Sequence, residues 1–188
     1  MKLNQDFDAK FAQALLEQRQ IFVGEFLKGE TSPNIKKAVL YLNALNDRDI
    51  TLLINSPGGD SGELVTLCEI IHHSKAKVIG RVIGKACSAA AVLLQACQVR
   101  EMTGNSTINP HLAIGIPIIQ LTAETDLSAL NKRMKGMKKS MVEEQKVYDK
   151  IFALRMNKSV EEVRKILIAD ATYKARMALQ LGLVDRLV

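Results

Sequence analysis

Val78-Ile79-Gly80-Arg81-Val82-Ile83 and, directly behind it, Gly84-Lys85-Ala86-Cys87-Ser88-Ala89-Ala90-Ala91-Val92-Leu93-Leu94 decide how this chain folds. The first run is short, rich in β-branched residues and bounded by Gly84, so it reads as a buried strand. The second passes from small to aliphatic residues after Ser88, which predicts a helix facing the core. Ser88 then stands at a strand-to-helix turn. Serine is a preferred N-cap residue, and capping alone would account for it. The position has a second use, because the first N–H groups of a helix lack intrahelical acceptors and can stabilise a developing oxyanion.

Upstream, the same strand-then-helix grammar occurs twice. Phe7, Phe11, Leu15 and Leu16 predict a short amphipathic helix over about 6–18, followed by the strand Ile21-Phe22-Val23. Ser32-Pro33 is a helix start, with Ser at the cap and Pro at the first helical position; Ile35, Val39 and Leu42 then share one face until Asn46-Asp47. Ile50 to Asn55 is a second buried strand, closed by Ser56-Pro57-Gly58-Gly59, and a helix is expected from about Ser61 to His72. The two glycines can bring backbone N–H groups close to whatever occupies the turn, although Pro-Gly-Gly also serves as a plain tight turn. His72 and His73 suit the negative end of that helix and are read as solvated capping residues. Repeated strand–helix units imply a mostly parallel sheet whose sites gather at the C-terminal strand ends, where Gly58-Gly59 and Ser88 both fall.

Composition narrows the classes of function. The chain has 188 residues, 47% of them hydrophobic, enough for one domain with a sizeable core. Its net charge of +6 suggests a polyanionic partner, but aromatic content is 4% and Trp is absent, which argues against nucleic acid. Lys132, Arg133, Lys135, Lys138 and Lys139 account for much of the excess and read as a solvated helix face. No apolar run approaches the roughly 18 residues of a membrane span, and Met1 to Asp6 lacks a signal-peptide core. A soluble cytoplasmic protein without a membrane partner is expected. Cys68, Cys87 and Cys97 show no metal-ligand spacing and read as reduced, buried thiols, with Cys87 a rival nucleophile beside Ser88. No metal or cofactor is called for.

Downstream, Val99 to Met102 and Thr107-Ile108 are short strand candidates around Gly104-Asn105-Ser106. Pro110 keeps Asn109 extended, so His111 is presented from a loop or strand end; a lone His is also commonly structural. Ile114 to Leu121, interrupted by Gly115 and Pro117, suits an edge strand or a groove lining. From Thr122 to about Met156 a single long helix is expected. Leu127, Leu130, Met134, Met137, Met141, Tyr148 and Ile151 follow a 3,4 spacing broken only by Glu144, the pattern of a helix lying along another helix. Gly136 suggests a kink or a close approach. Ser159-Val160-Glu161-Glu162 is a capping box. Asp170 lies on a loop, a final helix runs from Lys174 to Leu181 with Gly182 as its stop, and Leu183 to Val188 ends as a strand.

Ser88, His111, Asp170 and the Gly58-Gly59 turn comprise a nucleophile, a base, an orienting carboxylate and backbone donors, the parts that acyl transfer requires. Their order differs from that of α/β-hydrolases, and Ala86 and Ala90 stand where that elbow needs glycine. The combination of Ile54-Asn55-Ser56-Pro57-Gly58-Gly59, Gly84-Lys85-Ala86-Cys87-Ser88, Asn105-Ser106 before His111, and Asp170 before Gly182-Leu183-Val184-Asp185 resembles the proteolytic subunit of the Clp ATP-dependent protease, of the crotonase-like superfamily. The similarity runs from about Phe7 to the C-terminus.

The resemblance implies an α/β fold of the crotonase and ClpP-like kind: stacked strand–strand–helix units with a protruding long handle helix, a head of residues 1–111 and 157–188 and a handle of 112–156. It implies a serine endopeptidase, with Ser88 as nucleophile, His111 as general base, Asp170 as its orienter, and the N–H groups of Gly59 and Ala89 as the oxyanion hole. It further implies polypeptide substrates, a homo-oligomer of seven-membered rings stacked through handles, and feeding by an ATP-driven unfoldase of the AAA+ class. Three departures stand out: Ala90 replaces a common Gly, Leu112 to Pro117 replaces a Gly-rich stretch, and few residues precede Phe7 where the family has a pore-lining hairpin. A catalytically silent structural subunit of a mixed ring is the alternative reading, and a crotonase-type acyl-CoA enzyme is a third.

Overall fold

The computed structural model describes residues 5–24, 26–27, 31–60, 64–114 and 126–188. Three strand–helix units open the chain: β1 (Gln20–Val23) with α2 (Thr31–Leu45), β2 (Ile50–Ser56) with α3 (Leu64–His72), and β3 (Val78–Cys87) with α4 (Ala89–Ala96), all preceded by α1 (Gln5–Glu17). Ser32 and Pro33 fall in the first turn of α2, where Pro forfeits no helical hydrogen bond. The expected helix start at Ser61 lies outside the described residues.

β4 (Val99–Met102) and β5 (Thr107–Asn109) follow, then α5 (Leu127–Met156), α6 (Val160–Ile168), β6 (Tyr173–Lys174), α7 (Ala175–Leu181) and β7 (Arg186–Leu187). The sheet order is β1-β2-β3-β4-β7, parallel throughout, with β5 parallel to β3 and β6 antiparallel to β5. The mixed α/β class with a mostly parallel sheet and one long helix is therefore the observed architecture.

Two local features place the site. β3 does not stop at Gly84 but runs on to Cys87. The register between β2 and β3 slips after Ile54, and the Asn55 side chain fills the slip, its Oδ1 accepting the Lys85 N–H at 3.2 Å. A Cβ on residue 84 would lie 2.3 Å from that oxygen, so Gly84 makes room for an amide instead of ending the strand. β3 also changes partners along its length. Ile79 to Val82 pair with β4, whereas Lys85 to Cys87 pair with β5. Buried Ser106 secures the crossing, its hydroxyl donating to the Val82 carbonyl at 2.9 Å.

α4 packs flat on this strand, because a Cβ at Gly80 would lie 2.8 Å from both Cys97 Sγ and Leu94 Cδ1. Ala89 to Gln95 are all buried there. Val23, Leu52, Ile54, Val82, Leu93 and Leu94 are fully buried in the core. Burial pushes the Cys68 thiol up to about 12 and raises Cys97 as well, so both are inert core thiols. Across β3, β4 and β7, Arg81, Glu101 and Arg186 stand in register. Burial of Glu101 would raise its carboxyl, but hydrogen bonds and charge from Arg186 and Arg81 outweigh this and hold it below the usual range.

α5 divides by environment. Asp126 caps it, accepting the Ala129 N–H at 2.6 Å, and its far end buries Gln145, Tyr148, Asp149, Phe152 and Met156. In its first half Leu127 and Met134 are exposed, as are the five basic residues of the solvated face. Nothing lies within 4 Å of where a Cβ on Gly136 would be, so the close approach expected there is not made within the described residues. The capping box at Ser159 is complete, and Gly182 ends α7 at φ 80°. Among the described residues no helix is long and apolar enough to cross a membrane.

Candidate active site

Ser88 has φ 53° and ψ −125°, a left-handed conformation that costs a non-glycine residue about 1–3 kcal/mol. Its side chain makes no capping hydrogen bond, so capping does not account for the residue. Backbone contacts hold it in place: the Ser88 N–H donates to the Asn109 carbonyl at 2.9 Å, and the Ser88 carbonyl accepts from Ala91 and Val92. The half-buried side chain faces an open cleft of about 570 Å³ at the C-terminal ends of β2 and β3.

The opposite lip is the Ser56 to Asp60 turn. Ser56 is fully buried and its Oγ accepts the Gly58 N–H at 3.1 Å. Gly58 has φ 93°, and a Cβ there would lie 2.7 Å from Ser88 Cβ and 2.5 Å from the Cys87 carbonyl oxygen, so only glycine lets the turn close on Ser88. Leu27 pairs with this turn, donating to the Gly58 carbonyl at 2.9 Å and accepting the Asp60 N–H at 2.7 Å. In a parallel bridge of this kind the Gly59 amide points away from Leu27. The Ala89 N–H, first in α4, is one of the donors a helix leaves without an internal acceptor. Gly59, Ser88, Ala89 and His111 all line the one cleft.

His111 is half-buried, and its Nδ1 lies 2.7 Å from the Leu112 carbonyl oxygen. A carbonyl only accepts, so Nδ1 carries the proton and the neutral ring keeps its lone pair on Nε2. Asp170 is exposed, has φ 45°, and is not among the described residues lining the cleft. Its Oδ1 accepts from Asn109 Nδ2 at 3.2 Å. The structure therefore gathers Ser88, His111, Gly59 and Ala89, and leaves Asp170 beside them on Asn109. Cys87 does not line the cleft, and burial, only partly countered by the Lys85 charge and an Asn109 hydrogen bond, raises its thiol. The rival thiol is disfavoured.

Three residues in this region escaped the sequence reading. Gln145 is buried on α5 and its Oε1 accepts the Ala113 N–H at 2.7 Å, pinning the segment just after His111 to that helix. Its Nε2 donates to Asp149 at 2.8 Å, and Asp149 is paired with Arg164 at 2.6 Å. Gln145 and Asp149 each fall one residue after a position of the 3,4 stripe, so the repeat itself gave no signal for them.

The chain matches the model of the Clp protease family over residues 4–188. It is 32% identical over 177 residues to ATP-dependent Clp protease proteolytic subunit 1 of Corynebacterium diphtheriae, spanning 92% of this chain and 79% of the relative. Proteolytic subunit 2 of Corynebacterium jeikeium is 30% identical over 173 residues, with the same coverage of both chains. Proteolytic subunit 1 of Thermobifida fusca is 29% identical over 172 residues, 91% of this chain and 74% of the relative. With a family match across nearly every residue, and a fold in which a strained serine and a histidine share one cleft, this chain belongs to the Clp protease family.

Proposed function

We propose that the chain is a serine endopeptidase subunit that hydrolyses peptide bonds through an acyl-enzyme at Ser88. The Ser88 Oγ attacks the substrate carbonyl while its proton passes to His111 Nε2, and the protonated imidazole then delivers that proton to the leaving amine. The N–H groups of Gly59 and Ala89 receive the oxyanion. Water, activated by the same imidazole, releases the acyl group. Asp170 is the orienting carboxylate, reached when the imidazole exchanges the Leu112 carbonyl for it.

The observation that carries this reading is a serine held at φ 53° with no capping role, in a cleft with a histidine whose tautomer leaves Nε2 free to accept. The exposed first half of α5 carries Leu127 and Met134 on a stripe that a second copy of the chain would cover, serving as the handle between stacked rings. The relatives' names specify ATP dependence, which supports the proposal that an ATP-driven unfoldase supplies this chain with unfolded polypeptide.

The silent-subunit reading draws on one observation, the Asp170 carboxylate held by Asn109. A fluorophosphonate probe separates the two. Stoichiometric labelling of Ser88 in the assembled protein is expected, and Ser88→Ala should lose at least about a thousandfold in hydrolysis of an unfolded protein. No labelling, beside a control serine hydrolase that reacts, would sink the peptidase reading.

A further inference from the structure

Glu144 is the one break in the apolar stripe of α5, and it falls in the wall of the Ser88 cleft. The 3,4 spacing that runs through Met137, Met141 and Tyr148 calls for an apolar residue there, which would seal that wall with hydrocarbon. Instead a half-buried carboxylate stands one helical turn before the buried Tyr148, whose hydroxyl donates to Glu144 Oε1. That bond fixes the carboxylate without neutralising it. No lysine or arginine pairs with Glu144 among the described residues. The chain as a whole carries +6, yet the described lining of the cleft holds two carboxylates, Asp60 and Glu144, and neither lysine nor arginine. Val92, Leu112 and Ala113 add aliphatic surface to the same lining.

A carboxylate partly withdrawn from water and left without a cation is costly unless a cation arrives. A long basic side chain meets both features at once, since its methylenes lie along aliphatic surface and its charged end reaches the carboxylate. The cleft volume of about 570 Å³ accommodates such a side chain beside the main chain of an extended peptide. The side chain nearest an attacked carbonyl is that of the residue supplying it. Resting on the serine-peptidase reading above, we propose that Glu144 is a specificity-determining residue that selects lysine or arginine at the residue whose carbonyl Ser88 attacks. Cleavage then falls after basic residues, in sequences that offer them in unfolded form.

The test uses the assembled full-length protein and two fluorogenic peptides differing only in Lys or Leu before the scissile bond. The parent should show a kcat/KM for the Lys peptide at least about tenfold above that for Leu. Glu144→Gln keeps the size of the side chain and an acceptor for Tyr148, so it should remove about tenfold from the Lys peptide and leave the Leu peptide within about twofold. Glu144→Leu, which restores the stripe, should reverse the preference. Equal or better cleavage after Leu in the parent, or an equal loss on both peptides in Glu144→Gln, would overturn this inference while Ser88 labelling still supported a peptidase. Absence of both labelling and cleavage would remove the peptidase reading and this inference with it.

Discussion

The two sides of the cleft are held by different kinds of bond. On the Ser88 side the main chain, braced by the Asn55 and Ser56 side chains, fixes most of the geometry: β3 continues through the Asn55-bridged slip at Gly84, α4 starts directly after the serine, and the Gly58 turn closes at a distance no side chain would permit. On the His111 side, side chains make the choices. The imidazole rests on the Leu112 carbonyl, Asp170 rests on Asn109, and Ala113 is tied to α5 through Gln145. On the proposed reading, the nucleophile and its amide donors are thus ready in the single chain, whereas the link from base to carboxylate depends on exchangeable hydrogen bonds, each worth about 1 kcal/mol net. If the proposed peptidase reading holds, preorganisation is concentrated where charge would develop, and adjustability where a proton would be relayed.

The sharpest way to break this contrast is Gly58→Ala. With φ 93° and a methyl forced to 2.7 Å from Ser88 Cβ, it should cost about 3 kcal/mol of stability. Ser88 labelling should fall with it. A urea titration showing less than about 1 kcal/mol lost would mean the turn adapts, and the rigid side is not rigid.

A smaller effect is expected from the charged ladder that braces the same sheet. Glu101 titrates below its ordinary value of 4.5 in the folded chain, so its contribution is complete above that pH and drains away as pH falls through the lower folded value. Arg81 and Arg186 are 35% and 60% exposed, so Glu101→Gln should cost only about 1–2 kcal/mol at pH 7, less than a fully enclosed pair. Urea unfolding at pH 7 and pH 3 should show the parent losing more stability than the variant between those values.

The smallest effect belongs to the adjustable side. Asn109→Ala frees Asp170 from a hydrogen bond worth about 1 kcal/mol, which shifts its choice of partner toward His111 about fivefold. Steady-state kcat for a peptide should rise by up to that factor with Tm almost unchanged. A fall in kcat would mean that Asn109 positions the carboxylate and does not compete for it.

The sequence made the scaffold legible because scaffold residues obey local rules. β-Branched runs marked β2 and β3, Ser159 and Glu162 spelled a capping box, and Gly182 ended a helix. Misreadings arose where a distant partner changed the local meaning. Gly84 resembled a strand end until Asn55, far back in the chain on β2, filled its empty side. Lys174 looked like a helix start, but it pairs with Thr107 in β6 before capping α7. Ser88 looked like a cap, and its torsions show strain in place of a capping bond. Of the candidate site, the residues at strand ends were readable from turns and spacing. The tie from Ala113 through Gln145 was not, because nothing in a helical repeat says which polar residue will meet a loop 32 residues earlier.

Asn109 sits where both sides join, its carbonyl holding the Ser88 amide and its amide group holding Asp170, two residues before the imidazole. β5 is three residues long and wedged between β3 and β6, so it has no slack to absorb an insertion or deletion. One residue gained or lost between Ser106 and His111 would turn each side chain to the opposite face and displace Ser88, Asp170 and His111 in a single stroke. Substitutions along this stretch can be sampled one at a time, but its length is an all-or-nothing inheritance.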